Sequence, residues 1–367
     1  MKRALVVILA VVSLALLLLA GCGQPAPSAP GSEVVTKAVL PTVAQAVASP
    51  TIPPTAASAL AAGGEPPKVS YPEKGRAVMI IVPWAAGGSV DTTARLLAAP
   101  LEKDLGVPFQ IVNKPGATGE VGLTELAKSK PDGYTIGLHS LPVSITVYLD
   151  PSRKATYSRK DFELIANQVT DVGAIAVRAD SPYKHVKDLV DAARAKPEQI
   201  KIASTGPMSI ADLTGAQLEK IASVKFAMVN FDSAAPATTA VLGGHVDAFI
   251  GTLGSFPSQV RSGELRVLGV MDRQESRFTP GVKTFPAQGY DITFAMARGY
   301  AAPAGTPKPI IDILAQAIKR AMDTDELKKR MDEAMLPLDY KDPAQYSAYW
   351  DELEAQVKPL MELARKR

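Results

Sequence analysis

From residue 70 onward, short runs rich in Val, Ile, Leu and Phe alternate with longer stretches in which apolar positions recur every three or four residues. The short runs fit buried strands and the longer stretches fit amphipathic helices packed against them, so the body reads as α/β with mainly parallel strands. Strands are expected at 77–82, 109–112, 134–138, 163–168, 173–177, 200–204, 225–230, 246–250, 265–271 and 299–302. Helices are expected at 90–104, 119–129, 186–195, 210–222, 234–242 and 256–262. The tail from 307 to 367 is helical in pattern, with breaks near Asp323 and at 337–343. Its last stretch sets Tyr346, Tyr349, Trp350 and Leu353 at i, i+3, i+4 and i+7, a stripe for packing on the body.

The first 69 residues follow neither pattern. Lys2 and Arg3 precede an apolar run from Ala4 to Ala20 that ends in Gly21 and Cys22, the layout of a secretory signal peptide. Leu19, Ala20, Gly21 and Cys22 resemble the lipobox of bacterial lipoproteins, which implies lipidation of Cys22 and a lipid anchor to a membrane. Residues 23–69 contain nine prolines, no aromatic residue and only Glu33, Lys37, Glu65 and Lys68 as charges, so they cannot bury enough apolar surface to offset ordering. They read as a disordered tether with a reach of roughly 40 Å. Cys22 is the only cysteine, which leaves the exported body without a disulfide, a thiolate metal site or a cysteine nucleophile. Without Lys2 and Arg3 the chain carries 38 basic against 37 acidic residues, a balance that argues against nucleic acid as a partner.

Three stretches share a strand, a turn of small residues and a helix start: "VPWAAGGSVD" at 82, "IASTGPMSIAD" at 202 and "VNFDSAAPATT" at 229. In an open parallel sheet such starts converge beyond the carboxyl ends of the strands and offer backbone N–H groups to an anion. The first stretch has neither a P-loop ending nor dinucleotide-turn spacing, and Ser89 is not in a nucleophile elbow. What remains is an anion-friendly helix start, or an ordinary tight turn. Gly87 and Gly88 permit close approach of a ligand, Ser89 can cap, Asp91 orients the loop, and Trp84 can wall a pocket. The three histidines, His139, His185 and His245, have no zinc-type spacing; the last two read as surface positions, and His139 ends a strand from which it could reach the crevice. No nucleophile motif, metal cluster or cofactor fingerprint is present, so no enzyme activity, cofactor or metal is expected.

The runs "YPEKGRAVMIIVPWAAGGSVDTTARLLAAPLEKDLGVPFQIVNKPGATGEVG", "KSKPDGYTIG", "APATTAVLGGHVDAFIG", "SGELRVLGV" and "APAGTPKPIIDIL" occur in an order that resembles the extracytoplasmic solute-binding proteins of tripartite tricarboxylate transporters, the TctC-like or Bug family. The resemblance implies a two-domain periplasmic-binding-protein fold, type II-like, with the ligand in the cleft and crossover strands as hinge. Domain one would be 70–168 plus 297–367 and domain two 169–296. It also implies a monomer that captures a small carboxylate and delivers it to membrane permease subunits. The implied contacts are Trp84, Ala85, Ala86, Gly87, Gly88 and Ser89 in the first loop, Ser204, Thr205 and Gly206 in the second, and Ser233 and Ala234 at the third; His139 joins them as a candidate on its strand-end position alone. Asp212 and Asp232 stand where relatives carry basic or neutral groups; two acids close to the site disfavour a polyanion and favour a ligand with fewer negative charges or with an amine, as in an amino acid. A ligand-sensing receptor is the alternative, and an exported hydrolase a more distant one.

Overall fold

The computed structural model describes residues 70–366, so Cys22, the signal segment and the tether lie outside the described residues. In chain order the elements are Val78–Val82 (β1), Ser89–Leu105 (α1), Phe109–Asn113 (β2), Glu120–Ala127 (α2), Thr135–Leu141 (β3), Val143–Leu149 (α3), Phe162–Arg178 (β4), Val186–Ala195 (α4), Lys201–Ser204 (β5), Ile210–Ala222 (α5), Ala227–Asn230 (β6), Ala234–Leu242 (α6), Ala248–Thr252 (β7), Pro257–Arg261 (α7), Leu265–Val270 (β8), Ala295–Pro303 (β9), Lys308–Asp323 (α8), Asp325–Glu333 (α9), Leu338–Lys341 (β10) and Pro343–Arg365 (α10).

The strands pair in the order β2-β1-β3-β9-β4-β7-β5-β6, with β8 and β10 also on β4. The flanks are parallel, β2-β1-β3 on one side and β7-β5-β6 on the other, as right-handed strand–helix crossovers require. The middle is antiparallel: β3 with β9, β9 with β4, and β4 with β7 and β8. Each flank is covered by helices on both faces and forms one lobe. The first lobe packs α1, α8 and α9 on one face through Leu97, Leu101, Leu314 and Ile318, and α2, α3 and α10 on the other through Leu123, Ile145 and Trp350. The second lobe packs α4 and α5 through Leu189 and Leu218, and α6 through Ala237 and Val241.

Among the described strands β4 carries ladders into both lobes, the chain crosses back at the start of β9, and both strands are longer than the hydrophobic pattern predicts. β4 is continuous over 17 residues where two strands are expected, because Thr170 and Asp171 interrupt the apolar run without interrupting the ladder. The expected domain boundaries, 168/169 and 296/297, fall inside these two strands. Two further elements lie outside the pattern. α3 is a helix despite four β-branched residues, since Val143, Ile145, Thr146 and Val147 are all buried and packing overrides a weak propensity. The expected tail break at 337–343 contains β10, which pairs with β4.

His139 belongs to this core and not to the crevice. It faces Gly299 across β3 and β9, while the neighbouring Ser140 faces Arg298. Adjacent strand residues point to opposite sides of a sheet, so only one of the pair can look into the cleft. The His139 ring is fully buried and lies edge-on to Phe162 and Trp350. Burial, with the nearby charge of Arg159, holds its imidazole down at about 3. The native ring is therefore neutral where the unfolded chain's histidine, near 6.5, takes up a proton. The stability this contributes is complete above pH 6.5 and is lost as pH falls toward 3. Urea unfolding at pH 7, 6 and 5 should show a falling midpoint in the wild type and a flatter profile in His139→Leu; parallel profiles would contradict the assignment. Trp350, fully buried with its indole N–H on Tyr148 Oη at 3.1 Å, should cost about 3–5 kcal/mol on change to Ala, read from the same unfolding curves.

Candidate functional site

The lobes face each other across a cleft of about 640 Å³, a volume that includes space open to solvent. From the first lobe, Trp84, Ala85, Gly88, Ser89, Thr118 and Ser140 reach it; from the second, Thr205, Ser209, Asp232, Ser233, Ala234 and Thr252. Met296 and Arg298 of β9 line it at the junction. Its mouth continues between Gly116–Gly119 and Thr205–Pro207, where a Cβ on Gly206 would stand 3.7 Å from Thr118 Oγ1. Across that gap the two lobes are one side chain apart.

The loops are held from behind. Asp91, 2 % exposed, accepts from Gly87 N–H at 2.9 Å and Arg95 Nε at 2.8 Å through Oδ2, and from Asn113 Nδ2 at 2.9 Å through Oδ1. Asn113 Nδ2 also donates to the Trp84 carbonyl at 3.0 Å. Burial raises the Asp91 carboxyl, but these donors outweigh it and hold the group below the usual carboxylate range. Gly87 adopts φ +87°, a value open to glycine, so the turn is both permitted by its sequence and fixed by an acid in the following helix. Ala117 and Thr118 sit at φ 47° and 59° without a glycine; Arg153 secures them, donating to the Ala117 carbonyl at 2.7 Å and Thr118 Oγ1 at 2.9 Å. In the second lobe Ser204 Oγ accepts from Gly206 N–H at 3.2 Å and lies 3.0 Å from Ser209 Oγ, and Asp212 Oδ2 accepts from Met208 N–H at 2.9 Å.

Two helix starts open onto the cleft from opposite sides, α1 after Gly88 and α6 after Ser233, and neither is capped by a side chain. Their first-turn N–H groups and partial positive charge suit an anion. The start of α5 differs, since Ser209 Oγ accepts from Asp212 N–H and caps it. Arg298, with 1 % of its side chain exposed, lines the same cleft. The register explains its place: Arg298 stands opposite Ser140 on β3 and Val169 on β4, Asp171 is two residues beyond Val169, and Thr252 on β7 is opposite Gly173. Residues two apart share a face, so Arg298, Asp171 and Thr252 meet on one side of three neighbouring strands. Arg298 Nη2 donates to Asp171 Oδ2 at 2.9 Å, Ser89 Oγ at 3.1 Å and Thr252 Oγ1 at 3.3 Å. Its Nη1 and Nε are buried and meet no acceptor among the described residues. Such donors cost about 1–3 kcal/mol each when left unmet. Burial pushes the Asp171 carboxyl upward, against the pull of Arg298, Thr252 and Gly254 N–H.

Of the residues expected in the site, Trp84, Ala85, Gly88, Ser89, Thr205, Asp232, Ser233 and Ala234 line the cleft and Gly206 lines its mouth. Ala86 and Gly87 lie outside its lining, Gly87 with its N–H on Asp91. Ser204 is fully buried and shapes its loop from within, and Asp212 faces its own loop through Met208. Neither lines the cleft, and neither does His139, for the reason of strand alternation given above. Arg298, Asp171, Thr252, Ser140 and Thr118 were not anticipated. A signal for the first two was present: each is a single charge inside an otherwise apolar strand, "AMARGYAAP" and "QVTDVGAIAV", which demands a buried partner. Among the described residues there is no group of three His, Cys, Asp or Glu that could hold a metal, and no helix long and apolar enough to cross a membrane.

Comparison with known proteins agrees with this architecture. Residues 93–364 match the family described as "Tripartite tricarboxylate transporter family receptor". A protein of Cupriavidus necator, "UPF0065 protein in gbd 5'region", is 30% identical over 292 residues, covering 78% of this chain and 87% of its own. "Protein BugT" of Bordetella pertussis is 31% identical over 258 residues, covering 70% and 78%. Among solved structures, MatC from Rhodopseudomonas palustris with bound malate superposes with a TM-score of 0.73 at 25% identity, over 79% of this chain and 100% of that one. A TctC solute binding protein from Polaromonas superposes with a TM-score of 0.63 at 28% identity, over 81% of this chain and 100% of that one, and the matching family is itself described as a receptor. With two α/β lobes, two crossing strands and a cleft between them, the chain belongs to the tripartite tricarboxylate transporter receptor family.

Proposed function

We propose that this protein captures a small carboxylate-containing solute by closing its two lobes and hands it to the membrane permease of a tripartite-type transporter, anchored through a lipid on Cys22 and the 23–69 tether. The observation that carries the capture step is the pair of uncapped helix starts, one from each lobe, opening onto a single cleft with a buried guanidinium. Contacts that form only when both lobes meet favour the closed state, and no bond is made or broken. Domain one is proposed as 70–168 plus 297–367 and domain two as 169–296, with β4 and β9 as hinge.

Among carboxylates, one that also carries an amine fits best. Asp232 lines the cleft, is exposed, and makes no hydrogen bond or ion pair to another described residue. A second carboxylate on the ligand would be repelled there, whereas an ammonium would be attracted. Calorimetry on the 70–367 chain should therefore give tighter binding for amino acids than for dicarboxylates of equal length, and Asp232→Asn should shrink that preference about tenfold. Citrate binding more tightly than any monocarboxylate or amino acid would contradict this ligand class. Thr205→Val should weaken binding about 3- to 10-fold at unchanged unfolding midpoint, because it removes one hydroxyl from the cleft wall and nothing from the core. An unaltered affinity would remove the second loop from the ligand's contacts.

A further inference from the structure

Arg298 is tied to both lobes at once. Its Nη2 reaches Ser89 Oγ at the start of α1 in the first lobe and Thr252 Oγ1 at the end of β7 in the second. It also meets Asp171 on the hinge strand β4, and Asp171 in turn accepts from Gly254 N–H at 3.3 Å, again in the second lobe. Opening the cleft by rotation about β4 and β9 must lengthen the contact to Ser89 or the contact to Thr252, since these acceptors belong to bodies that separate. The remaining donors, Nη1 and Nε, are buried and meet no acceptor among the described residues, and the side chain lines the cleft onto which both open helix starts face. A carboxylate oxygen placed there accepts from a guanidinium that is already oriented by three acceptors, in surroundings with little water.

We propose that Arg298 is the group on which the ligand's carboxylate and both lobes converge, so that binding and closure are coupled through one guanidinium. This deepens the solute-capture reading and rests on it. Asp171 acts as a positioning residue: it fixes the plane of the guanidinium from behind and offsets its charge. Ser89 and Thr252 make the same group sensitive to the distance between lobes. Ligand and closure then favour each other reciprocally, as linkage requires.

The test uses the 70–367 chain with malate, adipate, aspartate and glutamate as probes, calorimetry for affinity and small-angle scattering for ligand-induced contraction. Arg298→Gln combined with Asp171→Asn removes both charges, keeps the shape at Asp171 and shortens the side chain at 298 by two heavy atoms, so no unpaired acid is left buried. The double variant should lose about 100-fold or more in affinity for whichever probe the wild type binds best, and its contraction on adding that probe should vanish. Ser89→Ala, which cuts only the first-lobe contact, should lose about 3- to 10-fold and contract less at saturation. It decides the matter where the double variant does not fold. Affinity and contraction within twofold of wild type in Ser89→Ala, or in a folded double variant, overturn the proposal and leave the capture reading intact. A wild type that binds none of the probes and releases no small carboxylate on denaturation, by mass spectrometry, overturns the capture reading itself and this coupling with it.

Discussion

The contact between Arg298 and Asp171 is the one that the rest of the molecule is arranged around. Both side chains are fully buried where β4 and β9 pair, at the junction of the lobes. Removing two charges from water costs roughly several kcal/mol per ion, and mutual attraction recovers this only when further hydrogen bonds complete the geometry. Here they are drawn from three directions: Ser89 from the first lobe, Thr252 and Gly254 N–H from the second. A well-packed apolar pair would hold the strands together at lower cost, so strand pairing alone does not account for the charges. They account for something an apolar pair cannot supply, a fixed point with directional bonds into each lobe from a side chain that also lines the cleft.

A second constraint works at the loops, where the placement of an acid relative to its helix decides whether it is occupied. In α1 and α5 the acid is the third helical residue, and its carboxylate turns back to the N–H just ahead of the cap: Asp91 to Gly87, Asp212 to Met208. This is the reach of a capping box, shifted by one residue. At α6 the third helical position is Pro236, and the acid, Asp232, stands before the cap. It has no loop N–H within that geometry and faces the cleft instead. Two acids that composition treats alike, Asp212 and Asp232, therefore differ in kind, one serving the backbone and the other open to a ligand.

That distinction measures how far the sequence could be read. Helices α4, α5 and α6 match the expected bounds to the residue, because their apolar faces are regular and their starts carry Ser, His or Asp signals. The first loop was legible as an anion-friendly helix start with Asp91 behind it. The long crossings were not, since a charged or hydroxylic residue in an apolar run reads as an end of strand, and Asp171 and Arg298 are hidden by each other's presence 127 residues apart. His139 was misplaced for a smaller reason: strand periodicity fixes which residues share a face, but not which face looks onto the cleft until β9 is seen beside β3.

The same arrangement limits how the cleft can hold an anion. Asp171 already offsets the charge of Arg298, and Asp232 adds a negative group nearer the mouth, so the lining carries no surplus positive charge. On the proposed reading, net charge then contributes little to affinity, and a shallow dependence on salt follows. What remains is directional: N–H groups at two helix starts and the unoccupied edge of a buried guanidinium, all short in range and oriented before the ligand arrives. For the carboxylate ligand proposed above, a site of this kind would reward the position of a single carboxylate over the number of carboxylates. It also works only when the lobes are together, because the donors are divided between them, and so selectivity and closure follow from one geometry.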